Sequence, residues 1–273
     1  MTIDSVITGT GSYIPNVVKK NSDFLGNNFL NSDGSEFGYA NDEVIEKFEA
    51  ITGISERRYA DPALNSSDLG YFAAQRAIED AGIEKEDLDY IIVSHNFGDV
   101  QNETIQSDIL PSLASRIKYR LGIKNPGCVA YDILFGCPGW VQGVIQAEAY
   151  IKSGIAKKCL VIGTETLSRV IDPHDRDSMI YSDGAGACIV EAVSGGSDSK
   201  ILSHAAQTDT IDECYYLFYG KSYNQDADKD IRYIKMFGRK IYEYGLSKVP
   251  LAMKAALDKS GVDISEIKKI FIH

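Results

Sequence analysis

Along the chain, short uninterrupted apolar runs alternate with stretches of helical periodicity. The runs YIIVS (90–94), LVIG (160–163) and IFI (270–272) lack the polar alternation of a half-exposed strand, so they predict strands covered on both faces. Between them, periodic segments at 68–81, 111–121, 138–153 and 248–260 each run up to a glycine: Gly82, Gly122, Gly154 and Gly261. A glycine just past a helix takes the left-handed conformation that closes the last turn. Strands alternating with helices in this way predict an α/β architecture with mixed, mostly parallel sheets.

One unit occurs twice. AIEDAGIEKEDLDYIIVSH (77–95) and ALDKSGVDISEIKKIFIH (256–273) both read as helix, glycine stop, acidic turn and buried strand. Gly82 falls over Gly261, Leu88 over Ile267, Ile91 over Ile270 and Val93 over Ile272. Glycine-stopped units are common in α/β proteins, so the match can also be generic. Taken as a true repeat, it predicts two related half-folds, residues 1–195 and the start of a second at 196–273. The first half continues past His95 to near Ala192, whereas the second stops at His273. By the logic of the repeat the second half is incomplete, by on the order of 75–100 residues.

Other segments break the pattern. SGGSDS (194–199) reads as a flexible connector. Residues 21–41, rich in Asn, Ser, Gly and Asp, read as a loop. Residues 209–230 mix tyrosines with acids and read as an excursion between strand and helix, with the tyrosines covering the core.

Composition and charge narrow the function classes. A formal net charge of -11 leaves no basic footprint for nucleic acid and disfavours anionic membranes. The five cysteines, an odd number with no CxxC pair, argue against a disulfide framework and a zinc ribbon. They point to a reducing compartment, hence a cytoplasmic protein, and no metal-ligand cluster is visible. From Met1 to Pro15 no basic segment precedes a long apolar stretch, so neither a signal peptide nor a transmembrane helix is expected.

The candidate chemistry lies in YDILFGCPGWVQGVIQAEAYIKSG (131–154). An apolar strand runs into Gly136-Cys137-Pro138-Gly139, and a long helix follows. Pro138 suits the first helical position, where its missing N–H costs nothing. Cys137 then sits at a helix N-terminus, where the dipole and free N–H groups favour a thiolate. The flanking glycines permit a sharp turn and close approach of a substrate. The competing reading is a small buried hydrophobe, the usual fate of a free cysteine. Cys128, Cys159, Cys188 and Cys214 lack such a setting, and Cys159 and Cys188 belong to apolar strands.

GCPGW followed by a helix ending in IKSG is similar to the nucleophile segment of ketoacyl-ACP synthase III enzymes, members of the thiolase-like superfamily. ETLSR (165–169), DPHDR (172–176) and DGAGA (183–187) resemble that family's segments in order and spacing. So do GTGSYIP (9–15), TGISERR (52–58), LPSLASRIKYRLGI (110–123), MFGRKIYEYG (236–245) and IFIH (270–273). The resemblance implies a duplicated, layered α/β/α/β/α thiolase-like fold whose second half is incomplete. It implies a decarboxylating Claisen condensation: an acyl group passes from acyl-CoA to Cys137, and malonyl-ACP loses CO₂ and attacks the acyl-enzyme. His273 stands where the family's catalytic histidine belongs, and the asparagine that partners it has no counterpart in the chain. His95, His174 and His204 do not occupy catalytic positions, and His174 is expected near the pantetheine entrance or solvent. DGAGA is expected to be a tight turn into a core strand rather than a phosphate cradle.

The resemblance further implies substrate contacts at Thr52, Leu110 and Arg176, CoA and ACP pantetheine thioesters as substrates without a separate cofactor, and a homodimer. Arg176 matches an arginine that flanks the CoA adenine, but Lys47 stands where the opposing tryptophan falls. Leu110 replaces a pocket-limiting phenylalanine, which makes room for a longer or branched acyl chain. Glu243 replaces a basic residue that helps dock the acidic carrier protein, leaving Lys254 or Arg116 as substitutes. Residues 99–108 read as an insertion before the pocket segment. Two alternatives stand beside condensation: a thiolase-like acyltransferase without decarboxylation, and a non-catalytic partner subunit.

Overall fold

A computed structural model describes residues 3–273, so the expectation for the N-terminus lies partly outside the described residues, at Met1 and Thr2. In chain order the strands are β1 (Ile3–Tyr13), β2 (Val17–Lys20), β3 (Glu56–Tyr59), β4 (Tyr90–His95), β5 (Asp99–Val100), β6 (Ser107–Asp108), β7 (Val129–Leu134), β8 (Lys158–Thr166), β9 (Asp183–Ser194), β10 (Leu217–Gly220) and β11 (Tyr233–Met236). The α-helices are α1 (Asn41–Thr52), α2 (Ser66–Ala81), α3 (Leu113–Leu121), α4 (Gly139–Lys152) and α5 (Gly238–Ser260). None of the described helices is long and apolar enough to cross a membrane.

The main sheet has the order β1-β9-β8-β4-β7. Strand β4 is parallel to both neighbours, while β9 is antiparallel to β8 and β1. Parallel pairing therefore governs only the β7-β4-β8 part of a mixed sheet. There successive side chains serve opposite faces, as the strand period requires. Ile91, Val93, Leu160 and Ile162 join Ala73, Ala77, Leu113 and Ile117 on the α2–α3 side. Ile92, Cys159 and Val161 join Ala147 and Ile151 on the α4 side. This two-sided burial is what the unbroken apolar runs encode.

Helix α2 lies close on β1, and small residues make that possible. A β-carbon at Gly11 would sit 2.5 Å from the Ala77 nitrogen, and one at Gly9 would sit 2.5 Å from the Ala77 carbonyl oxygen. Both obstacles are backbone and cannot rotate away. On the helix side, Ala73, Ala74 and Ala77 are fully buried.

The two similar segments share their local geometry. Gly82 (φ 63°) and Gly261 (φ 71°) both close their helices in the left-handed conformation. A short 3-10 turn follows each, at Lys85–Asp87 and at Ile264–Glu266. The copies diverge after that. Residues 90–95 form β4, but 270–272 form no strand, and Ile270, Phe271 and Ile272 are exposed. A strand needs a neighbouring ladder, and none runs beside this segment among the described residues.

Several expectations are corrected. DGAGA is itself the start of β9 rather than a turn, and Asp183 is fixed by the N–H groups of Ala60 (2.7 Å) and Ser168 (2.9 Å). The connector at 194–199 is tied down, because Asp4 accepts hydrogen bonds from the N–H groups of Gly196 and Ser197. Helix α5 begins ten residues before the expected 248 and runs through Pro250. Residues 21–41 bury Phe24 and Phe29 in a small satellite core with Val44 and Met179. Residues 99–108 form a hairpin of β5 and β6.

The tyrosine-rich excursion folds partly into the β10–β11 hairpin, and its tyrosines do not cover the core. Tyr215 is 73% exposed, and Tyr223 lies under the Lys235 ammonium, 3.3 Å from ring centre to nitrogen. Lys235 is fully buried and bonds both Asp172 and Asp175. Asp172 also accepts from Ser222 Oγ (2.9 Å) and the Tyr223 N–H (2.8 Å). Burial opposes the charged form of Asp172, but Lys235 and these N–H donors hold its carboxyl below the ordinary range. The excursion is thereby pinned to residues 172–175.

Two outcomes are expected. Gly11→Ala forces α2 off the sheet and destabilises by roughly 1–3 kcal/mol in denaturant unfolding, whereas wild-type stability would mean the helix shifts freely. Burial and the neighbouring Asp175 charge push the Asp177 carboxyl up from 3.8 to about 6. A raised folded-state value gives stability that is full below the ordinary value and lost as pH rises toward 6. Asp177→Asn should therefore raise Tm near neutral pH and lose that gain in acid below the ordinary carboxylate value, read by thermal melts in the two buffers.

Candidate active site at a strand-to-helix turn

Strand β7 ends at Leu134, and the chain reverses through Phe135-Gly136-Cys137-Pro138 into α4. The Gly139 N–H donates to the Gly136 carbonyl at 2.7 Å, closing a tight turn around Cys137. Pro138 caps the helix instead of opening it, with φ −81° and ψ 8°, and its carbonyl accepts the Gln142 N–H at 3.0 Å. The expected boundary thus moves by one residue. Cys137 remains just outside the helix N-terminus, where unpaired N–H groups and the dipole favour negative charge.

Glycines set how low this turn sits. A β-carbon at Gly139 would lie 2.7 Å from the Ser94 side chain of β4, and one at Gly143 would lie 2.6 Å from Val161 Cγ1 of β8. The helix can therefore lie directly over the carboxyl ends of β4 and β8. In open α/β sheets that end is where ligands bind.

Cys137 is exposed as a residue, in contrast to buried Cys128, Cys159 and Cys188. Burial pushes the Cys159 and Cys188 thiols up to about 12, so these behave as core atoms. Cys137 moves the other way. The neighbouring His273 imidazole lowers its thiol below the ordinary value, although its neighbours crowd the sulfur enough for desolvation to oppose the shift. The same contact raises His273 above the ordinary imidazole value. The two directions agree: each group favours the charged form of the other, the thiolate on Cys137 and the imidazolium on His273. This arrangement can act as a nucleophile that holds its own proton donor.

Beneath the turn, Glu165 at the end of β8 accepts from the Asn96 N–H (2.6 Å) and from Asn96 Nδ2 (2.9 Å). Beside the turn, a cleft of about 390 Å³ opens between Leu134, Phe135 and Gly136 on one wall and Asp209, Tyr216 and Tyr244 on the other. Nothing in the residue order singles out Asn96, and Glu165 is only a letter in ETLSR. The pairing joins ends of adjacent strands, and only the β4–β8 register reveals it.

The remaining sequence candidates make contacts of their own. Thr52 Oγ1 donates to the Phe48 carbonyl at 2.7 Å and accepts the Ile54 N–H at 3.1 Å, closing the end of α1. Leu110 is 86% exposed. The Arg176 guanidinium lies over Phe37, 4.5 Å from the ring centre, and Lys47 lies over Tyr39 at 4.2 Å. His174 is half-buried and joins the Asn28 carbonyl to Asn224. His95 is buried between Asp132 (2.9 Å) and the Gly98 N–H (2.9 Å). Arg116 is engaged by Asp99 and Asp108, both at 2.7 Å, and Lys254 is paired with Asp258. Neither is an unencumbered substitute for the base that Glu243 replaces.

The thiolate–imidazolium pair makes a prediction. His273→Ala should move the pH midpoint of Cys137 alkylation upward and slow the reaction near neutrality, as read by mass spectrometry of the Cys137 peptide. An unchanged midpoint would mean that the imidazole does not hold the proton.

The chain is similar to several known proteins. A family model described as 3-oxoacyl-[acyl-carrier-protein (ACP)] synthase III matches residues 131–210, which contain the turn, β8 and β9. The chain is 35% identical over 270 residues to beta-ketoacyl-[acyl-carrier-protein] synthase III 1 of Vibrio vulnificus, covering 98% of this chain and 76% of that protein. Among solved structures it resembles 3-oxoacyl-[acyl-carrier-protein] synthase III from Aquifex aeolicus, with TM-score 0.74 and 28% identity, covering 96% of this chain and 74% of that one. It also resembles the priming beta-ketosynthase of the R1128 polyketide pathway, with TM-score 0.77 and 26% identity, covering 97% and 72%. The fold is thiolase-like, and the chain belongs to the 3-oxoacyl-ACP synthase III family of condensing acyltransferases.

Proposed function

We propose that this protein catalyses the decarboxylating condensation of an acyl-CoA with malonyl-ACP, through an acyl-Cys137 intermediate, to give a 3-oxoacyl-ACP for fatty acid or related biosynthesis. The observation that carries the reading is an exposed thiol on a helix-terminal turn with the His273 imidazole against its sulfur.

In the first half-reaction the Cys137 thiolate attacks the acyl carbonyl. Its new carbon–sulfur bond replaces the bond to CoA, and the CoA thiolate takes the proton of the His273 imidazolium. In the second, malonyl-ACP loses CO₂, and the resulting enolate carbon attacks the acyl-enzyme. Cys137 leaves as a thiolate, and His273 regains one proton from solvent. A donor at the enolate oxygen is worth most where water is excluded. His273 is the residue positioned to supply one, and the N–H groups at the start of α4 are donors for the tetrahedral oxyanion.

The finer points belong to the same proposal. Thr52, Leu110 and Arg176 contact substrate, with Arg176 and the aromatic pair Phe37–Tyr39 at the CoA end. Residues 1–195 and 196–273 are read as two related halves. The enzyme is read as a cytoplasmic homodimer. β7 is an edge strand of the main sheet, and the exposed Leu134, Ile109 and Leu110 beside it favour a second copy at that edge.

The test uses the full chain with straight and branched acyl-CoAs. Intact mass should show one thioester adduct that is lost in Cys137→Ser, and malonyl-ACP should then release CO₂ and clear the adduct. An adduct that persists in the Cys137→Ser variant removes the nucleophile. An adduct without CO₂ release favours an acyltransferase that does not decarboxylate.

A further inference from the structure

The turn that carries Cys137 rests on two neighbouring parallel strands. Ser94 and Asn96 of the β4 end face it: a β-carbon at Gly139 would meet Ser94, and one at Gly136 would lie 3.6 Å from Asn96 Oδ1. On β8, Gly163 faces Trp140 of the same helix, 3.3 Å from a β-carbon placed there. Glu165 is two residues further on and so projects to the same side. Its carboxylate holds both the main-chain and side-chain nitrogens of Asn96. The amide oxygen of Asn96 is left turned toward Gly136. A chain of contacts thus runs from Glu165 through Asn96 to the residue before the nucleophile.

Among the described residues no lysine or arginine forms a salt bridge with Glu165. The groups facing it are His95, the Asn96 amide and the Phe97 N–H from the β4 end, and Cys137 from the turn. His95 is engaged by Asp132 and the Gly98 N–H. A crowded carboxylate with no cation partner beside a sulfur nucleophile costs stability, and such groups concentrate at functional sites.

We propose that Glu165, held by Asn96 beneath the nucleophile turn, is a positioning residue that opposes negative charge on the Cys137 sulfur and so favours its passage into the acyl bond. This rests on Cys137 being the acyl-accepting nucleophile. The His273 contact favours the thiolate, and a thiolate of a more acidic thiol is a weaker nucleophile. Glu165 pulls in the opposite direction. When the acyl carbon–sulfur bond forms, the charge leaves on the CoA sulfur and the repulsion is relieved. Burial raises the Glu165 carboxyl above the ordinary range, and the two Asn96 donors oppose that rise.

The experiment is the pH dependence of iodoacetamide alkylation of the full chain, read at the Cys137 peptide because Cys214 is also exposed. Glu165→Gln should lower the midpoint, so that alkylation below it is ~3–10-fold faster while the high-pH plateau rate falls. Asn96→Ala should shift the midpoint the same way by a smaller amount, since it removes the side-chain donor to Glu165 and leaves the main-chain N–H. Glu165→Asp, which keeps the charge, should restore the wild-type midpoint. A Glu165→Gln midpoint that is unchanged or higher, with rates merely scaled, overturns the proposal. If Glu165→Gln does not fold, the Asn96→Ala shift decides in the same way. Failure of the nucleophile reading is seen separately, as an acyl adduct that survives Cys137→Ser.

Discussion

Between α4 and the strands beneath it there is no room for a β-carbon at residues 139 or 143. Gly139 meets Ser94, and Gly143 meets Val161. That close approach fixes the depth at which the helix begins, and with it the height of the Cys137 sulfur above the carboxyl ends of β4 and β8. Larger residues would lift the helix and carry the turn away from Asn96, Glu165 and His273 together. Protein interiors transmit such displacements rather than absorb them, because they are packed at crystal-like density. Chemistry at the sulfur therefore depends on a packing constraint that involves no catalytic group.

Much of this was legible from residue order. The runs around Ile91 and Leu160 proved to be two-faced strands, because a strand between helical layers has no side that tolerates polar groups. The glycine stops at 82, 122 and 261 hold the left-handed conformation that only glycine adopts cheaply. Cys137 stood out because glycine and proline flank it at the end of an apolar strand. What stayed hidden depends on partners distant in sequence. IFI has a strand's composition, but a strand forms only where another offers a ladder. The tyrosines of 209–230 read as apolar surface, yet the hairpin they adjoin is held by a buried lysine and two aspartates. The Asn96–Glu165 pair leaves no sequence signal, since it arises from the register of two strands.

Electrostatics follow the same division between local and distant effects. The chain carries a net charge of -11, yet its interior places cations deliberately. Lys235 is sealed between Asp172 and Asp175, and Arg116 is held by Asp99 and Asp108. Breaking a buried pair by removing one member leaves an uncompensated charge and is strongly destabilising. These basic groups are committed to structure, so counting lysines and arginines overstates what is available to greet an acidic partner. The Cys137–His273 pair is the reverse case, two groups at an exposed turn that each favour the charged form of the other.

The two glycine-stopped segments differ in what their last aligned residues do. Aligned through Gly82 and Gly261, Ser94 corresponds to His273. Both positions adjoin the nucleophile turn. The serine props the nucleophile helix from underneath, and the histidine approaches the sulfur itself. One aligned position thus serves packing and the other serves the sulfur, so a change at residue 94 would act through the depth of the helix and a change at residue 273 through charge.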